Sequence, residues 1–311
     1  MNSITNFQYF GELSALSAAV FWSIAVIIFK SASRELSPYL ITVLKNTIAT
    51  ICFIILFIFL DIPIWYNGFD SIDYVKIVVS GILGMGLADI IFLYALSQIG
   101  ANRIALINCF EPVVIYVLSS FFLGTILNQQ QFLGFIIVLL AILIMTYEKD
   151  TDDLEIAIKR KGIALQILAV ILSSSGIVLI KPILNNLTEN IHIQLWVTAF
   201  RLFPGMIVAW FIFYFQKNKL NLFKPLKKSK LLIKIIISSG LGTFIALSFW
   251  IVGYAFIEHP PIASLLGQTS IIFIVILSSL FLKEKITKIR ILSIALAIIG
   301  VYLTSFYYLN V

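Results

Sequence analysis

The chain has 311 residues, of which 60% are hydrophobic and 12% charged, against roughly 25% charged in an ordinary soluble domain; a soluble globular protein is excluded. Phe 26, Tyr 12 and Trp 5 supply apolar bulk that disordered and collagen-like chains lack. The net charge of +7 does not mark a nucleic-acid protein, because the lysines fall in short loops and lack the basic-aromatic interleaving of a strand-binding surface.

A helix needs about 20 apolar residues to cross the ~30 Å hydrocarbon layer. Ten such stretches are predicted in chain order. The first five cover 10–30, 38–60, 74–97, 103–124 and 131–147, and the second five 162–184, 193–216, 231–257, 261–282 and 287–308. Mixed dense charge at 148–161 separates them, giving a first repeat over 1–147, a linker over 148–161 and a second repeat over 162–311. No Lys or Arg precedes Tyr9 and no small-residue cleavage site follows, so no signal peptide is expected. Cys52 and Cys109 lie inside apolar runs and read as small hydrophobes, not as a disulfide framework.

The halves are related by fixed offsets. Gly11, Ser23 and Lys30 fall on Gly162, Ser174 and Lys181 with a shift of 151, and Lys76, Ser80, Gly84 and Ala88 fall on Lys234, Ser238, Gly242 and Ala246 with a shift of 158. Ser119-Ser120 and Leu123 match Ser278-Ser279 and Leu282 at 159. An odd number of spans per half places the copies in opposite orientations. The predicted fold is therefore an all-α polytopic membrane protein, ten transmembrane helices in two inverted-topology five-helix repeats, a geometry that binds cargo near the midplane and rocks to expose it. Basic residues gather after odd-numbered spans (Lys30 and Arg34, 149–161, 217–234, 283–290), which by the positive-inside rule makes those loops cytoplasmic and both termini external.

A charge at the centre of a span costs about 2.5–3.5 kcal/mol on insertion scales and normally faces a cavity or a partner. Lys45, Asp89, Glu111 and Arg201 are deep enough to qualify. Ser80, Gly84 and Ala88 form a small-residue stripe for close helix approach, and Asp89 sits about 100° off it. At the matching positions of the second half stand Leu247, Trp250 and Tyr254, so an acid is expected to oppose two aromatics across the pseudo-twofold, a setting that suits an amphipathic or cationic solute. Asn108 and Glu111 share a face of the fourth span, with Gln268 at similar depth in the ninth. Pro112 should loosen the backbone beside Glu111. Lys45 and Arg201 are expected at equivalent sites, pairing with Asp89 or Glu111 or holding a carboxylate. Pro204-Gly205 and the Ser173–Gly176 run are the expected bending points.

Catalytic motifs are missing. The sequence has no phosphate-binding loop of the ATPase type, no nucleophile motif and no metal-ligand spacing, so neither an enzyme nor a resident cofactor or metal is expected. His192 and His259 fall at span ends and read as loop residues.

Ten spans in two tandem copies resemble the drug/metabolite transporter superfamily, in its EamA-type, YddG-like branch, over nearly the whole chain. Pro38 with Lys45 resembles that family's proline-then-basic pattern in the second span, Arg201 standing in the other copy with Gln194 in place of the proline. Pro112 resembles its fourth-span proline, Glu284 its acidic residue after the ninth span, with Thr125 or nearby polar residues in the first copy, and Gly134 its glycine opening the last span of a repeat, with Ser293 opposite. The resemblance implies secondary transport through a cavity lined by the first, third, fourth, sixth, eighth and ninth spans, and termini on the cytoplasmic side, against the basic-loop count. The expected protein is a secondary active exporter or exchanger of a small amphipathic metabolite such as an amino acid, working by alternating access in the cytoplasmic (inner) membrane as a monomer or weak dimer, with protons as a candidate coupling ion. Trp22, Asp89, Asn108, Glu111, Trp250, Tyr254 and Gln268 would meet the substrate, and Lys45 and Arg201 would pair or hold carboxylate. A lipid-intermediate flippase on the same fold, and a membrane enzyme acting on a lipid phosphate headgroup, are the alternatives.

Overall fold

The computed structural model describes residues 8–33, 35–146, 155–188, 190–282 and 288–305. Arg34, the loop carrying Glu284 and linker residues 148–154 lie outside the described residues.

Helices dominate the described chain. The first half holds α1 (Phe10–Ala32), α2 (Pro38–Phe59), α3 (Ser71–Gly81), a π-helical segment (Ile82–Ala88), α4 (Asp89–Asn108), α5 (Glu111–Leu123) and α6 (Gln129–Thr146). In the second half come α7 (Ile156–Asn185), α8 (Ile191–Tyr214), α9 (Ser229–Ser238), a second π segment (Ser239–Ala246), α10 (Leu247–Phe256), α11 (Pro260–Gln268), α12 (Ser270–Leu282) and α13 (Lys288–Ser305). Among the described residues, six continuous helices are long and apolar enough to cross a bilayer, and four shorter apolar helices accompany them. The outer surface is greasy, with Phe59, Phe121 and Ile58 among the most exposed side chains, as lipid-facing positions require and aqueous ones do not tolerate in such a patch.

The helix ends follow local chemistry. Ser37 Oγ accepts the Leu40 amide ahead of Pro38, Asp70 accepts the Asp73 amide, and Asn190 accepts the Ile193 amide; in each case a short polar side chain satisfies a donor that the first helical turn leaves open. Gly124 closes α5 in the left-handed region at φ 67°, and the Thr125 amide reaches back to Ser119 O at 3.2 Å, a stop that only glycine makes without strain.

Contacts between the halves obey the same offsets as the sequence. A Cβ placed on Gly162 of α7 would meet Ile99 of α4, and one on Gly11 of α1 would meet Ile257, which are the same pair shifted by 151 and 158. A Cβ on Gly176 would touch Ser80 and Gly84 of the third span, and one on Gly242 of the eighth would touch Ala25 of the first. Such reciprocal pairing, in which equivalent patches meet each other, is what a twofold relation demands. Five crossings per copy then put that axis in the plane of the bilayer.

Backbone irregularity is paired as well. Both third-position spans widen into π turns at matching places, Ile82–Ala88 and Ser239–Ala246. Both fourth-position spans are interrupted, one at Cys109–Phe110 and the other at Thr269. At the expected bending points the helices are not interrupted: α8 is continuous through Pro204 and α7 through Ser173–Gly176 and Pro182. At Pro204-Gly205 α8 packs closely on the third span, where a Cβ on Gly205 would lie 2.5 Å from Met85 Cβ. The expected loop before residue 103 is also helical, since α4 runs on to Asn108. The chain nevertheless reverses there. Ser80 and then Ile99 lie beside Gly176 and then Gly162 of α7, whereas Asn108 and then Glu111 return past Gln166 and Ser173.

Candidate functional site

Polar groups inside the bundle collect where the widened and interrupted helices meet. Lys45 of α2 and Asp89, the first residue after the first π segment, form an ion pair, with side-chain exposures of 6% and 20%. Lys45 Nζ also donates to Asn46 Oδ1 at 3.1 Å, and Asn46 Nδ2 donates to Met85 O at 2.9 Å. The last bond ties α2 to a carbonyl within the π segment, where i→i+5 bonding disturbs the normal ladder. The pair borders a narrow cleft with a cavity volume of about 20 Å³, lined chiefly by Trp22, Phe29, Lys45, Asp89, Phe92 and Leu96. That is room for about one water molecule.

Arg201 lies ten residues from the start of the 24-residue α8 and is 1% exposed. Its Nε donates to Ser80 Oγ at 2.7 Å, and its guanidinium carbon stands 5.8 Å from the centroid of the Trp250 ring. Trp250 and Tyr254 pack edge to face at 4.6 Å between centroids. Tyr254 is fully buried and its hydroxyl lies by Ser264.

The helix interruptions supply the third group. Glu111 is the first residue of α5, the electropositive end of a helix, and Gln268 is the last of α11. Gln268 Nε2 donates to Glu111 at 2.6 Å, and Ser173 of α7 hydrogen-bonds the same carboxyl. Gln166 Nε2 donates to Asn108 Oδ1 at 2.6 Å. Broken helices whose ends carry polar groups at the repeat interface are a recurrent way of building a binding site inside a membrane.

Several expectations change. Asn108 and Glu111 do not share one helix face, because the chain breaks between them; the backbone beside Glu111 is interrupted, and Pro112 opens the helix that follows, at a position where its missing N–H has no helical partner to lose. Lys45 and Arg201 are not equivalent in their bonding. Lys45 pairs within its own half, but Leu247 stands where the second half would need a counterpart to Asp89, and Arg201 turns across to Ser80 of the first half. The aromatics Trp250 and Tyr254 therefore meet a cation, and Asp89 shares its cleft with Trp22 and Phe92. Lys181 was given no site role by the sequence; it is buried and donates to Tyr254 O at 2.6 Å and Ile257 O at 2.7 Å. Its match to Lys30 under the shift of 151 was the available signal. Ser80 also carries more than close packing, since it anchors Arg201. Among the described residues no group of His, Cys, Asp and Glu is arranged to hold a metal ion.

A model of the EamA-like transporter family matches the chain twice, over residues 9–147 and 160–306. The chain belongs to the EamA-like transporter family. An EamA-like protein of this kind is a multi-pass integral membrane transporter of the drug/metabolite class and not an enzyme. No curated protein sequence matches it. A solved structure, described only as the crystal structure of a protein, superposes with a TM-score of 0.75 over 95% of this chain and 96% of its own, at 16% identity. At that identity the likeness speaks for the fold alone.

Proposed function

We propose that this EamA-like protein is a secondary active exporter or exchanger of a small amphipathic metabolite such as an amino acid, working by alternating access between its two repeats in the cytoplasmic membrane. The observation that carries the reading is the convergence of Lys45–Asp89, Arg201 and Glu111–Gln268 from five spans of both repeats, at the widened and interrupted helices, with Trp22, Trp250 and Tyr254 among them. Ionisable groups inside a membrane bundle are retained for ion or solute pathways, since each is costly to bury. Asp89 and Glu111 offer sites for a proton or a substrate amine, and Trp22, Trp250 and Tyr254 offer apolar contact. Glu111 sits at a break where backbone bonding is already interrupted, so a proton exchanged there perturbs no continuous helix.

The test is reconstitution of the purified protein into liposomes, followed by uptake of radiolabelled amino acids, polyamines, quaternary amines and nucleotides with and without a pH gradient. Saturable uptake of an amphipathic solute, accelerated by the same solute preloaded inside, is expected. Movement of a labelled lipid in the absence of any such uptake would overturn the proposal in favour of a flippase.

A further inference from the structure

Three cations are buried among the described residues, and two of them are satisfied. Lys45 pairs with Asp89, and Lys181 donates to two carbonyls. Arg201 differs. Its Nε is bonded to Ser80, whose own hydroxyl proton goes to Gly176 O at 2.5 Å, so the serine offers the arginine a lone pair and nothing more. Neither Nη1 nor Nη2 has a hydrogen-bond partner among the described residues, although both are buried. An unpaired buried charge with open donors is expensive, and one that persists in a bundle core faces a cavity or a ligand.

The guanidinium is also fixed in place. Ser80 holds its Nε edge, the Trp250 indole lies 5.8 Å away, and Gly84 packs against another side, where a Cβ would come within 2.9 Å of Nη2. A planar fork held at its base, with no hydrogen-bond partner at its buried tip among the described residues, matches the two oxygens of a carboxylate. Asp89 does not fill that role in this state, because Lys45 engages it. A dianion such as a phosphate monoester would need a second uncommitted cation, and Lys45 and Lys181 are both committed.

We infer that Arg201 is an anion subsite that receives the carboxylate of a monoanionic cargo end-on through Nη1 and Nη2, with Trp250 and Ser80 holding the guanidinium plane. The inference rests on the transport reading above and narrows its substrate class to compounds bearing a free carboxylate. Lys45 acquires a second role from it, since by occupying Asp89 it leaves Arg201 open for cargo.

The experiment compares each of a panel of L-amino acids with its own carboxamide, and both with inorganic phosphate, by thermal stabilisation and tryptophan fluorescence of the purified protein in detergent. At least one free acid is expected to bind about tenfold or more tighter than its amide, with phosphate inert. Arg201→Gln should erase that acid-over-amide preference. Ser80→Ala and Arg201→Lys, which keep the charge but loosen or shrink the fork, should reduce it and guard against a glutamine variant that fails to fold. Amide and acid binding equally across the panel, preference for phosphate, or full preference in Arg201→Lys and Ser80→Ala alike would overturn the subsite. Liposome flux is a separate readout: loss of all uptake with the acid preference intact refutes the transport reading and spares the subsite, while saturable uptake of acids by an Arg201→Gln protein that still prefers them over their amides does the reverse.

Discussion

Replacing Asp89 by asparagine removes the counterion of a lysine that is 6% exposed. The ammonium keeps a single side-chain partner, Asn46 Oδ1 at 3.1 Å. Breaking a fully buried pair by deleting one partner costs about 3–5 kcal/mol, most of it the stranded charge. Because Asp89 is itself 20% exposed and borders the cleft, water reaches part of the site and the loss should fall to about 2–3 kcal/mol. The double variant Lys45→Met/Asp89→Asn strands no charge, so its stability should return to within about 1 kcal/mol of the parent. Chemical denaturation in mixed micelles, read by tryptophan fluorescence, gives the stabilities, and liposome uptake gives function in parallel. A fully stable Asp89→Asn protein would refute the pairing. A double variant that transports normally would leave the pairing standing as architecture and remove Asp89 from the transport cycle.

Gly81→Ala should be the most damaging glycine substitution in the third span, because its Cβ would lie 2.0 Å from the Arg201 carbonyl oxygen, and overpacking of that kind costs about 1–3 kcal/mol or more; Gly240→Ala, with nothing within 4 Å, is the neutral control, and relative yield of folded protein in detergent reads both. Glu111→Gln keeps the shape and a hydrogen bond to the opposing Gln268 while removing the ionisable group, so exchange between preloaded and external solute should continue while any acceleration by a pH gradient disappears; gradient-driven uptake unchanged in this variant would exclude Glu111 as the proton site. At the surface, Lys228 beside Glu35 holds that carboxyl below the usual carboxylate range. A depressed carboxylate contributes stability above its ordinary range and loses it as pH falls through the lowered value, so a Glu35→Gln protein should differ from the parent at neutral pH and low salt, and converge with it in acid or in high salt; a difference insensitive to salt would rule out the ion pair as its cause.

The duplication was legible because small and charged residues, unlike leucine and isoleucine, rarely coincide at a constant offset by chance, and the same offsets reappear in space as Gly162 against Ile99 and Gly11 against Ile257. Depth in the membrane singled out Lys45, Asp89, Glu111 and Arg201, but their partners depended on rotations about each helix that the π segments alter. A π turn is a choice between hydrogen-bond registers settled by neighbours, here Asn46 on Met85 O and the glycine contacts around Arg201, and no residue pattern announces it. The break at Thr269 has no proline to mark it either. Pro112 pointed to the right place in the fourth span, where the helix is interrupted, and it stands at the beginning of the next helix, where a proline is accommodated. Lys181 escaped notice because a lysine near a span end usually reaches for headgroups, whereas this one turns inward to cap carbonyls of α10.

The widened turns in the third and eighth spans each store a spare residue. Returning such a turn to ordinary α winding would swivel everything beyond it by about 100°, enough to carry Asp89 out of reach of Lys45. The molecule thus holds, at matching heights on either side of its axis, two built-in ratchet teeth, and a single-residue deletion within Ile82–Ala88 should act less like damage to a wall than like turning a key by one notch.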